Sequence, residues 1–167
     1  MNDAHLHLVV NHFPIIGTIF GLGILIAGLI FKNQTLKNTA FVLFIIAAIF
    51  GFASMNTGEG AEEIAEKLPG VTDQLIETHE ELAETFSLFL YTTGLLSIIS
   101  LFLAYKKMAF VKFTSLATVG VAIIAVFFAQ QTGTSGGEIR HTEIRANSST
   151  VVDGLTSHEN EIKTDDD

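Results

Sequence analysis

Residues 13–31, 38–58, 86–105 and 113–137 contain no Asp, Glu, Lys or Arg. Each run is about as long as the roughly 20 apolar residues that cross a ~30 Å hydrocarbon layer at 1.5 Å per residue. The pattern predicts four membrane helices over about 8–31, 38–56, 72–105 and 110–130. Pro14 stands near the start of the first, where a missing N–H does least harm, and Gly17 and Gly21 share one of its faces and permit close approach of a neighbour. From Thr72 the positions Leu75, Ile76, His79, Leu82, Ala83 and Phe86 keep a helical period and run unbroken into the third apolar run. That helix is expected to project one to two turns beyond the membrane. Thr57-Gly58 and Thr132-Gly133 read as helix C-terminal turns with glycine in the left-handed position. Ala61–Leu68 reads as a separate short amphipathic helix ended by Pro69-Gly70.

These elements define an all-α fold, an integral membrane four-helix bundle made of two tandem helical hairpins. A transmembrane domain covers 1–141, followed by a polar acidic tail over 142–167. The two halves repeat an order: a histidine (His12, His79), two apolar runs, then Thr-Gly. A duplication of that kind places like elements of both halves together at one end of the bundle.

Charge adds orientation. The turns after the first and third runs hold Lys32, Lys37, Lys106, Lys107 and Lys112 with no acid, while all 18 acids lie in the remaining segments. The positive-inside tendency makes both lysine turns cytoplasmic. Both termini and the acidic loop are then periplasmic, in a bacterial inner membrane. Met1–His5 has no basic n-region, so the first run reads as a retained helix. With no cysteine, thiolate clusters, disulfides and covalent c-type haem are excluded. A net charge of −9 with scattered cations argues against nucleic acid.

Histidine carries the candidate chemistry. All six (His5, His7, His12, His79, His141 and His158) fall outside the uncharged runs and the lysine turns. Imidazoles from different helices at one depth hold a b-type haem or a metal ion without cysteine. His12 and His79, as counterparts in the repeat, form the first expected pair, and His7 and His141 the second. His5-x-His7 also suits copper or zinc. Glu62, Glu63 and Glu138 are candidates to orient imidazole N–H groups, or simply keep the loop wet. The uncharged runs lack the buried charges that ion pumps use.

His7-Leu-Val-Val-Asn-His12-Phe13-Pro14 resembles the opening of the bacterial four-helix membrane family catalogued as domain of unknown function 2231. Thr57-Gly58, His79, Gly136-Gly137-Glu138 and Arg140-His141 extend the resemblance over 7–141, with Leu8 where that family has proline. Some of its members are joined to Rieske-type iron–sulfur domains, so the resemblance implies a membrane electron-transfer setting and favours haem over a bare ion. Three functions stay open. The first is a small b-type cytochrome holding one or two haems by paired histidines, passing electrons between membrane redox subunits and a periplasmic protein. The others are an extracytoplasmic copper or zinc binder, and a structural or assembly subunit of a larger membrane complex. No motif marks an enzyme in its own right.

Overall fold

The computed structural model describes residues 2–145, all-helical apart from short connections. Its elements are α1 (Asp3–Val10), α2 (His12–Ile30), α3 (Gln34–Ala65), α4 (Asp73–Tyr105), α5 (Val111–Arg140) and a 3-10 turn (Thr142–Ile144). The helices pack around a ring, α2 on α3, α3 on α4, α4 on α5 and α5 back on α2, while α1 lies against α3. Four helical segments are long and apolar enough to cross a membrane: α1–α2 together, α3, α4 and α5. His158 and most of the 142–167 tail lie outside the described residues.

Sequence explains the starts of α1 and α3. Asn2 accepts from His5 N–H at 3.0 Å and Asn33 from Leu36 N–H at 3.2 Å, each satisfying an amide that the first turn leaves free. Both tight hairpins close the same way. Asn33 N–H bonds Gly28 O at 2.9 Å and Met108 N–H bonds Leu103 O at 3.0 Å. Between them, Lys32 (φ 52°) and Lys107 (φ 54°) take the left-handed conformation. These are Schellman closures in which a lysine replaces the usual glycine and sets its charge at the negative helix end.

Three expectations are corrected. The first span is two segments joined at Asn11, which stays right-handed helical and donates to His7 O; Pro14 supplies no N–H to the Val10 carbonyl. The second span does not stop at Thr57-Gly58, nor is Ala61–Leu68 a separate helix, since α3 continues to Ala65. Likewise α5 passes through Thr132-Gly133 to Arg140. The left-handed glycine is Gly70 (φ 79°) in the loop before α4, where Pro69-Gly70 was expected to break the chain. Gly58 and Gly133 meet no close neighbour, whereas Gly60 on α3 and Gly136 on α5 permit close approach. A Cβ on Gly60 would sit 2.6 Å from Asp3 Cβ, and one on Gly136 would sit 2.9 Å from His79 Cε1. Tertiary packing thus overrides local turn signals.

Small residues line much of the interior. Gly17 faces Ala47, Gly21 faces the Phe44 ring, and Gly94 faces Ala48. Thr18, Thr93, Ser97, Ser115, Thr118, Ala122, Ala125 and Ala129 are buried, whereas Phe20, Phe52, Leu88, Leu95, Ile123 and Phe127 face outward. Small residues at the helix contacts, with many large apolar groups facing outward, are the arrangement of helices that associate by close backbone approach in lipid, while Leu25, Phe41, Phe44, Phe86 and Leu90 fill the core between them.

Candidate functional site: an imidazole layer at one end of the bundle

The buried stripe of α1–α2 passes through Thr18, Gly21, Leu25 and Gly28, and that of α4 through Leu90, Thr93, Ser97 and Ser100. Measured back from each stripe, His7 and His79 occupy the same register, both eleven residues before the first of the four. Alternating steps of three and four keep each imidazole on the inward face. The structural counterpart of His79 is therefore His7, not His12.

Each ring is held through Nδ1 by the helix that follows it in its own half. His7 Nδ1–H donates to Ser54 O at 3.1 Å, with Thr57 Oγ1 at 3.2 Å as a second partner. His79 Nδ1 lies 3.0 Å from Ser135 Oγ. With the Ser135 hydroxyl hydrogen on Thr132 O at 3.1 Å, Ser135 Oγ accepts from His79 Nδ1–H. Both neutral rings consequently carry their lone pair on Nε2, the tautomer that binds iron or another metal. Thr57 is itself fixed by its bonds to Ala53 O and Ser54 O.

Both imidazoles precede the uncharged runs of their helices and are half-buried or more. Burial lowers the pKa of His7, opposed in part by the Ser54 carbonyl. Burial also lowers that of His79, and the nearby His7 adds to this; the Thr132 carbonyl opposes it. The two rings are thus close enough for charge on one to disfavour charge on the other. Thr132 Oγ1, on α5, and Asn11 Oδ1, at the junction of α1 and α2, are buried without a hydrogen-bond partner.

The other predicted residues lie elsewhere. His12 is exposed, its Nδ1–H turned back to Leu8 O at 3.1 Å, because five residues past His7 the helix has rotated that position outward. The pair of His12 with His79 gives way to His7 with His79. His141 is exposed beyond α5 and bonds Glu143 Oε1 at 2.8 Å, which lowers the Glu143 pKa together with that residue's own backbone N–H. It does not join His7. His5 is exposed. Glu62 shares a hydrogen bond with Glu80 across α3 and α4; Glu80's pKa is raised, chiefly by desolvation and then by that contact. Glu63 is exposed, and Glu138 contributes its carbonyl to Arg145 Nε at 2.8 Å. In place of carboxylates, Ser54, Thr57, Thr132 and Ser135 orient the rings. The sequence signal for them was the repeated Thr-Gly, whose threonines face the imidazoles.

Arg145 secures the loop at this end. Its guanidinium donates to Gly70 O (2.8 Å), Glu138 O (2.8 Å) and Ile139 O (3.2 Å), capping α5 and tying it to the loop before α4. Among the described residues no group of three or more His, Cys, Asp or Glu has the arrangement of a metal cage. Comparison with family models, curated proteins and solved structures gives no match.

Proposed function

We propose that the chain is a small membrane electron carrier of the b-type cytochrome kind, with His7 and His79 as the axial ligand pair. The supporting observation is the donor set: two imidazoles from different helices, each anchored at Nδ1 and free at Nε2. A bare zinc or copper ion needs about three or four protein donors, whereas haem brings four of its own and asks the protein for two at most. The donors present fit the second case, and a buried Thr132 hydroxyl with no partner lies on the helix that holds the His79 ring. Haem would supply a one-electron couple. The chain's own contribution is to hold both tautomers, exclude charge by burial and keep the ligands on rigid helices.

In this reading the apolar runs sit in the bacterial inner membrane. The lysine turns lie in the cytoplasm and the imidazole layer at the periplasmic surface, facing membrane redox subunits or a periplasmic electron-transfer protein. His7, Thr57, His79 and Gly136, which carry much of the resemblance to domain of unknown function 2231, are residues that converge here, and this supports membership of that family. The test is an absorption spectrum of the detergent-extracted chain, oxidised and dithionite-reduced. A Soret band that disappears in His7→Ala and His79→Ala but persists in His12→Ala is the expected result. No Soret band after haem supplementation disposes of the proposal.

A further inference from the structure

A lateral groove of about 480 Å³ opens between α3 and α4, near the end that carries the imidazole layer. Its walls include Phe52 and Leu88, both more than 60% exposed to the surroundings of the bundle. Its polar lining comes from Asn56, Glu84, Ser87 and Tyr91. Glu84 is the last acid before the uncharged run of α4, and Asn56 lies three residues before the first acid that follows the uncharged run of α3. The groove therefore straddles the boundary between an apolar surface and an acidic collar.

The polar groups in it are left unused. Ser87 is only 6% exposed, yet no hydrogen bond engages its hydroxyl, although the comparable Thr93 and Ser97 are bonded to their own helix. Asn56 spends its amide N–H on Phe52 O at 2.7 Å, which leaves its carbonyl oxygen as an acceptor. An unbonded hydroxyl lining the groove beside a carboxylate and a phenol offers hydrogen bonds to a ligand that brings matching groups with it.

We infer that this groove binds a hydroquinone with an apolar tail, entering sideways from the membrane. A flat ring fits between Phe52 and Leu88. Its hydroxyls donate to Glu84 and Asn56 and accept from Ser87 or Tyr91. Charge selects against the obvious rival, a phospholipid phosphate, because Glu77, Glu80 and Glu84 lie on the same stretch of α4 and already repel one another. The inference deepens the electron-carrier reading by naming a donor class. It concerns binding alone, so the two readings can fail separately.

The test is calorimetric titration of the full chain, in phosphatidylcholine nanodiscs, with duroquinol. Wild type binds in a saturable way. Ser87→Val and Tyr91→Phe each weaken binding about tenfold, the worth of one hydrogen bond to a well-fitted ligand. Leu88→Trp, an exposed position where folding is undisturbed, fills the groove and abolishes binding, whereas Phe20→Trp on α2 leaves it unchanged. Non-saturable uptake by wild type, or equal binding by Leu88→Trp, overturns the proposal. So does native mass spectrometry showing a phospholipid held by wild type and released by Leu88→Trp. Duroquinol binding in a preparation without a Soret band would leave this site standing and remove the haem.

Discussion

The two ends of one buried stripe obey different rules. At the level of Thr93, Ser97 and Thr118, every hydroxyl turns back onto its own helix: Thr93 to Phe89 O at 2.8 Å, Ser97 to Thr93 O at 2.7 Å and Thr118 to Thr114 O at 2.8 Å. Around His7 and His79, side chains reach across helices, to Ser54 and Thr57, to Ser135, from Glu62 to Glu80, and from Arg145 to Gly70. In the apolar region the helices are matched by shape, and most polar atoms are silenced locally, the buried Ser100 hydroxyl alone on that α4 stripe having no partner. At the histidine end they are joined by directed bonds, which fix particular atoms in particular places. Fixed atoms are what a binding site needs, and the histidine end is where they are found.

The heaviest blow to the shape-matched region is Gly51→Val. The new side chain would collide with Leu90, and overpacking there costs about 2–3 kcal/mol, read as a lowered thermal midpoint in detergent. Gly136→Val strikes the bonded end. Its Cβ would crowd the His79 ring, costing about 1–2 kcal/mol and displacing the imidazole, so any Soret band is lost while helical circular dichroism remains. Acid separates the regions without mutation. His7 and His79 have pKa values below the ordinary 6.5, so below that value the unfolded chain binds more protons than the folded one. Their contribution is present above pH 6.5 and is lost as pH falls below it. The thermal midpoint should drop on acidification in wild type, and less so in a His7→Gln, His79→Gln double variant. The mildest pair compares hydroxyls. Thr57→Val removes a partner of His7 and costs about 1 kcal/mol, while Thr118→Val, whose hydroxyl serves only its own helix, stays within about 0.6 kcal/mol. Equal losses for the two would erase the distinction between the regions.

How far the sequence was legible follows the same divide. Helix number, and the continuity of Thr72 into the third apolar run, rest on uncharged length and period, which depend on no partner. The glycines misled. Gly58 and Gly133 suggested helix ends, but α1 laid along α3 and the His79 ring seated against α5 kept those segments helical, and such contacts leave no local mark. The duplication points to a histidine pair, and counting from His12 selects a side chain that the structure leaves exposed and bonded to Leu8 O. Only the buried stripe, with Thr18 and Gly21 set against Leu90 and Thr93, fixes the register. Glu62, Glu63 and Glu138 were attractive because carboxylates commonly orient imidazoles. Here short hydroxyls and a backbone carbonyl do so, from positions already spoken for by helix geometry.

One dimension of α4 has a further consequence. Its 33 residues make a rod about 50 Å long against a hydrocarbon slab of ~30 Å. Inserted in a bilayer, a single unbroken ladder of that length would stand partly in a second solvent. Amide deuteration along α4 should show a step near Phe86, slow on the tyrosine side and quicker toward Asp73, so that the helix measures its own depth of immersion.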